Sequence, residues 1–252
     1  MTLRHLARVV ICASLVLAAV TVSAKAGPRA VVELFTSQGC SSCPAADQVM
    51  GELAKDPSLI ALSLAVDYWD YLGWKDTLAL SGHSSRQRAY SKARGDREVY
   101  TPQVVVNGLV HALGSDKTAI ERAIAVTRAE ATPLSVPTTV SLSDDKVTVN
   151  VAASNKENMR GEVWLCPVSR HVAVPIERGE NRGKTLVYHN VVRRWIKLGD
   201  WTGKAVTWTV PRSEMTAKTG PSDNIDQVAV IVQGTVANYP GAMLGAATAA
   251  LR

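Results

Sequence analysis

The chain has 252 residues, 46% hydrophobic and 20% charged, with four cysteines and a formal net charge of +6. That length accommodates one or two domains. No run of lysine and arginine is long enough to track phosphates, which argues against a nucleic-acid partner. Arg4, Arg8 and Lys25 all lie near the N-terminus, and without them the net charge falls to +3.

Residues 1–26 read as a removable export signal. Arg4, His5 and Arg8 open it, residues 9–22 form a short apolar run, and Ala24-Lys25-Ala26 supplies small residues around a cut. Cys12 lies in the apolar run and leaves with it. An uncleaved anchor is the rival reading. No later segment has the length of a membrane helix, so no stable insertion is expected after cleavage. The expected location is the periplasm or outside the cell, where disulfides persist.

The mature chain then alternates strand and helix patterns. "AVVELF" (30–35) reads as a strand, and "PAADQVMGELAK" carries Val49, Met50, Leu53 and Ala54 at helical spacing. Asp56-Pro57 stops that helix. "SLIALSLAVD" (58–67) is the next strand and "SGHSSRQRAYSKARG" (81–95) a polar helix. "QVVVNGLVHAL" reads as a hairpin about Asn107-Gly108. "SDKTAIERAIAVTRAEA" closes the half as a helix capped by Ser115 or Asp116. A proline-bearing linker follows at 133–138. Beyond it, short alternating strands without helices predict a β-sandwich over 139–252, starting with a pair about Asp144-Asp145. Residues 27–132 form the first expected unit.

"GCSSCP" (39–44) carries the chemistry. As a staple it is weak, because closing a four-residue loop contributes roughly 2 kcal/mol against about 4.7 for a hundred-residue loop. Structural zinc needs four ligands, and His83, His111, His171 and His189 are scattered with no close pair. A soft Cu(I) ion held by Cys40 and Cys43 stays open as an alternative. Redox chemistry fits the placement best. The pair follows a strand and opens a helix, whose N-terminal N–H groups and partial positive charge stabilise a thiolate. Cys40 is then the attacking sulfur, Cys43 the resolving one a turn later, and Ser41 and Ser42 are small neighbours able to hydrogen-bond sulfur. Pro44 costs little in a first helical turn.

Other candidates divide between function and packing. "DYWDYLGWKD" (67–76) either walls a partner polypeptide near Cys40, through Tyr68, Trp69 and Trp74 with Thr101, or fills the interface between units. "GENRGKTLVYHNVVRRW" either binds an anion, caps the first unit, or is a strand with one polar face, the preferred reading. His111 reads as a structural strand histidine, and Cys166, in "EVWLCPV", as a buried inert thiol.

Taken together, the Cys-x-x-Cys pair and Thr101-Pro102 before the hairpin resemble a thioredoxin-fold oxidoreductase. The strings "VELFTSQGCSSCPAAD", "VDYWDYLGWKD", "YTPQVVVNG" and "GENRGKTLVYHNVVR" are similar to domain-of-unknown-function family 1223, a group of exported bacterial proteins. The resemblance implies a thioredoxin-like domain followed by a β-sandwich, and carries no established activity with it. It implies Cys40 as nucleophile, Cys43 as resolving thiol and Pro102 as a cis-proline beside them. Gly39 stands where thioredoxins have tryptophan, and Leu34 where they have a buried acid. Glu33 is one place away and, on a strand, faces the other side. The function expected is therefore an exported thiol–disulfide oxidoreductase that needs no organic cofactor. Its expected partners are protein thiols or disulfides and a redox recycling partner. The alternatives are a copper-handling module or a non-catalytic interaction protein on the same scaffold.

Overall fold

The computed structural model describes residues 27–216 and 224–251. The expected export signal, with Cys12, lies outside the described residues. Strands β1 (Ala30–Thr36) and β2 (Leu59–Ala65) are buried along their whole length, as continuous apolar runs are when both sheet faces are covered. They pair in parallel, with helix α1 (Cys43–Leu53) as the crossover. Strand β3 (Gln103–Val106) runs antiparallel to β1 and turns into β4 (Val110–Leu113). The turn passes through Asn107 and Gly108 at φ 50° and 75°, a left-handed region that Asn and Gly tolerate. Helices α2 (Ser81–Arg94) and α3 (Lys117–Ala129) complete this half. Of the two expected caps on α3 it is Asp116 that serves, accepting from the Ala119 N–H at 2.9 Å.

The parity of β1 sorts the core. Val32 and Leu34 face α1 and α3, meeting Met50, Leu53, Ile120 and Ile124. Val31 and Phe35 face the opposite side, toward Tyr90 of α2. Each such side chain contributes roughly 1.5–3 kcal/mol by leaving water.

In the second half, β5 (Thr138–Leu142) and β6 (Lys146–Val151) form the expected pair, and β10 (Val206–Pro211) joins them in a three-stranded sheet. The apolar residues of β6 pack with Trp201 and with Val228, Val230 and Val232. The remaining strands are β7 (Gly161–Pro175), β8 (Thr185–Val192), β9 (Ile196–Trp201), β11 (Gln227–Val236) and β12 (Tyr239–Ala250). "GEVWLCPV" and "HVAVP" lie on the single long strand β7. It stays continuous because its partner changes while it runs: β9 pairs with its first residues and β8 with its last.

One nine-stranded sheet results, in the order β12-β11-β7-β8-β2-β1-β3-β4 with β9 beside β7. It runs across the expected boundary at 133–138. The seam is β8 against β2, parallel through one register pair, Ser63 opposite Val191. Side chains reinforce it: Ser63 Oγ donates to His189 O at 2.7 Å, and Asn190 Nδ2 to Ala61 O at 2.9 Å. The fold is mixed α/β, with a large sheet and few helices. Among the described residues no helix is long and apolar enough to cross a membrane.

Candidate functional site

β1 ends at Thr36, and residues 37–42 turn the chain into α1, whose first residues are Cys43 and Pro44. The turn is closed by Cys40 N–H to Ser37 O and Cys43 N–H to Cys40 O, both 3.2 Å. Cys40 and Cys43 form a disulfide with their Cα atoms 5.4 Å apart. Both cysteines are buried, whereas Ser41 and Ser42 are exposed. Of the two serines, Ser42 approaches sulfur, its Oγ 3.4 Å from Cys40 Sγ. Ser41 instead gives its N–H to Glu180 Oε2 at 3.1 Å. A cysteine pair at disulfide distance is compatible with redox chemistry.

The Thr101-Pro102 peptide is cis. Gly114 packs beside it, where a Cβ would stand 3.0 Å from both Pro102 Cβ and Ala46 Cβ, so Pro102 and the first turns of α1 are neighbours. Trp69 links the two segments. Its indole N–H donates to Thr101 Oγ1 at 2.8 Å, and its Cβ would lie 3.1 Å from any Cβ at position 39. Gly39 is therefore where the chain lets Trp69 approach. Trp74 Nε1 donates to Gln38 Oε1 at 2.8 Å. Tyr68 lies beside Trp69, ring centroids 6.3 Å apart, with its hydroxyl donating to Gln87 Oε1 of α2 at 3.1 Å and lying close to Thr101 as well. Trp69, Tyr68 and Thr101 are thus neighbours of one another, Trp69 also approaches the cysteine turn at Gly39, and Trp74 meets that turn at Gln38. Within 67–76 the exposed aromatic is Tyr71, at 79%.

The stretch at 179–183, expected as part of a polar-faced strand, is the loop between β7 and β8. Positive φ at Gly179 and Gly183, 78° and 83°, keeps it out of the ladder. It caps the cysteine turn. Buried Asn181 donates through Nδ2 to Gln38 O at 3.0 Å and Cys40 O at 2.9 Å. The amide thus gives Gln38 O a donor and adds a second one to Cys40 O, which already accepts the Cys43 N–H.

Two buried acids were invisible to motif reading. Asp76 accepts from Gln38 N–H at 2.7 Å and Leu78 N–H at 2.8 Å. Burial pushes its carboxyl up to about 6, against the pull of those N–H groups. Asp47 lies in α1, one turn beyond Cys43, and i,i+4 side chains on a helix are neighbours. It accepts from Thr36 Oγ1 at 2.8 Å, while its Oδ2 has no partner among the described residues. Burial pushes Asp47 up to about 8, with the Thr36 hydroxyl opposing and Asp76 adding to the rise. The signal for Asp47 was present: it shares the inward stripe with Cys43, Ala46 and Met50.

The remaining candidates are structural in placement. Cys166 is fully buried on β7, and burial pushes its thiol upward. His111 Nδ1 lies 3.0 Å from the Tyr100 hydroxyl. Among the described residues no three His, Cys, Asp or Glu side chains converge as metal ligands.

A crystal structure of a protein from Agrobacterium tumefaciens is similar at 32% identity, over 89% of this chain and 95% of that one, with a TM-score of 0.77. HBP35 of Porphyromonas gingivalis is similar in fold alone, at 10% identity over 89% of this chain and 76% of that one, TM-score 0.61. No curated protein matches. The model of the family described as a protein of unknown function, DUF1223, matches residues 31–233, and the chain belongs to that family.

Proposed function

We propose that the chain is an exported thiol–disulfide oxidoreductase, built as a thioredoxin-like unit followed by a β-sandwich. The observation that carries this reading is the Cys40–Cys43 disulfide at the head of α1, with the cis Thr101-Pro102 segment packed against the same helix. The export reading rests on residues 1–26.

In the oxidising direction a substrate thiolate attacks Cys40 Sγ. The Cys40–Cys43 bond breaks, a mixed disulfide forms on Cys40, and Cys43 leaves as a thiolate. Asp47, protonated at neutral pH because it is buried, gives that sulfur its proton. A second substrate thiolate then attacks the substrate sulfur of the mixed disulfide and releases Cys40. Two electrons pass from two substrate thiols to the cysteine pair, and a recycling partner removes them. Thr101 and Pro102 align the partner's backbone, Trp69 and Trp74 wall the approach, and Tyr68 borders it. Because both cysteines are buried, the partner enters by displacing the loop that carries Glu180 and Asn181.

The test is the reduction potential of the pair in a glutathione series, combined with trapping by Cys43→Ser. Equilibration with glutathione and a mixed disulfide on Cys40 are expected. A pair that stays oxidised throughout, with nothing trapped on Cys40, overturns the proposal.

A further inference from the structure

Helix α2 does not lie flat on the strands of the second half. Between them is a cavity of about 770 Å³, within the range of small-molecule sites and at a junction of the kind they favour. The start of β7, the end of β9 and the turn from β11 to β12 build its far wall. No residue of the cysteine turn lines it.

That wall sets aromatic surface beside matched charges. Glu162 and Trp164, two residues apart on β7, share one side of the strand. Asp200 and Lys197 stand opposite them on β9. Lys197 bridges the two carboxylates, 2.5 Å from Glu162 Oε1 and 2.9 Å from Asp200 Oδ1. The second oxygen of each carboxylate has no partner among the described residues. Arg160 lines the cavity as an exposed cation, and Arg86, across on α2, is already matched by Glu33 at 2.7 Å. Two carboxylates therefore meet two cations, Lys197 and Arg160, and the lining is neutral as a whole. Tyr239, half-buried like Trp164, adds a second ring.

We infer that this cavity binds a neutral carbohydrate, a mono- or disaccharide. With the charges matched, neither an anion nor a cation finds a surplus to neutralise. A hydrocarbon leaves the carboxylate oxygens and the guanidinium N–H groups unmet. A sugar uses both parts of the wall. Its hydroxyls donate to the free oxygens of Glu162 and Asp200 and accept from Arg160, as charge-assisted hydrogen bonds. Its C–H face, carrying partial positive charge, lies on the electron-rich faces of Trp164 and Tyr239. The inference does not rest on the redox reading, since the two sites share no residue.

The test titrates cellobiose, maltose and N,N′-diacetylchitobiose calorimetrically into the full chain, with indole fluorescence as the second readout. One saturable site for at least one of them is expected. Asp200→Asn weakens it about tenfold, the scale of a lost charge-assisted hydrogen bond, and Asp200 is exposed, so the fold is spared. Trp164→Ala weakens it at least as much by removing the ring under the sugar. Gly82→Trp abolishes it without touching any binding group: position 82 lines the cavity and a Cβ there meets nothing within 4 Å, so the ring blocks the mouth without strain in α2. Absence of saturable binding of all three sugars to the unaltered chain overturns the inference. So does binding that neither Asp200→Asn nor Gly82→Trp changes while both variants melt like the parent.

Discussion

Two buried carboxylates on opposite sides of the same sheet have opposite fates. Glu33, fully buried on β1, receives Arg86 Nε at 2.7 Å and the Tyr90 hydroxyl at 2.6 Å. Tyr90 is in turn held by Gln233 Nε2 at 2.8 Å. Asp47, 4% exposed on α1, has the single Thr36 hydroxyl and an unpartnered second oxygen. The first acid is a finished ion-pair network. The second keeps its proton to about pH 8 because nothing cationic reaches it. Burial is common to both, so the partners decide whether a buried acid is locked in an ion pair or keeps its proton.

Breaking the finished network gives the largest expected loss of stability from a substitution. Glu33→Gln leaves the Arg86 guanidinium buried without its counter-charge, at a cost of about 3–5 kcal/mol by denaturant unfolding. Arg86→Met in the same chain restores most of that loss, because apolar replacement of a whole buried pair is close to neutral. A small loss in Glu33→Gln would place Glu33 and Asp47 in the same class.

The next effect runs the other way. Asp47 titrates in the folded state at about 8, above its ordinary 3.8. Its contribution is fully present below pH 3.8 and is lost as the pH rises toward about 8. Within that window the parent loses about 1.4 kcal/mol per pH unit relative to Asp47→Asn. His83, buried and lowered to about 4, has the opposite slope in both proteins and cancels in the difference. The same variant slows disulfide exchange about a hundredfold, the scale of one lost general acid. Parallel stability curves from pH 4 to 8 would show that Asp47 is ionised after all.

Asn181→Ala takes the amide donor from Gln38 O and leaves Cys40 O with the Cys43 N–H alone, at a cost of about 1–3 kcal/mol. It also loosens the capping loop, so reduction of the disulfide by dithiothreitol becomes faster. An unchanged reduction rate would mean that the loop does not guard the sulfurs.

The sequence carried the local features well. Buried strands, the Asn107-Gly108 turn and the Asp116 cap follow from residue types acting on their near neighbours. The parity reading of Glu33 against Leu34 also survives, one meeting Arg86 and the other α1 and α3. What stayed hidden depends on contacts across long separations. Asn181 reaches Cys40 over 141 residues, and Ser63 meets Val191 through one register pair that hydrophobic periodicity cannot announce. The 179–183 loop misled because polar alternation looks the same on a strand as in a cap. Only the positive φ of Gly179 and Gly183 separates the two.

The finest test takes away the one partner Asp47 has. Thr36→Val keeps the shape of a buried β-branched residue and removes only the hydroxyl that donates to Asp47 Oδ1. That bond favours the ionised carboxylate, so its loss raises the acid further. A neutral hydrogen bond contributes about 1 kcal/mol, which is somewhat less than one pH unit. The alkaline limb of the exchange rate should therefore move up by that much, with the rate below it nearly unchanged. Arg86 and Glu33, on the far face of the sheet, should not register the substitution. A limb that stays in place would detach Asp47 from the proton that Cys43 needs, and would return the acid to the same structural class as Glu33.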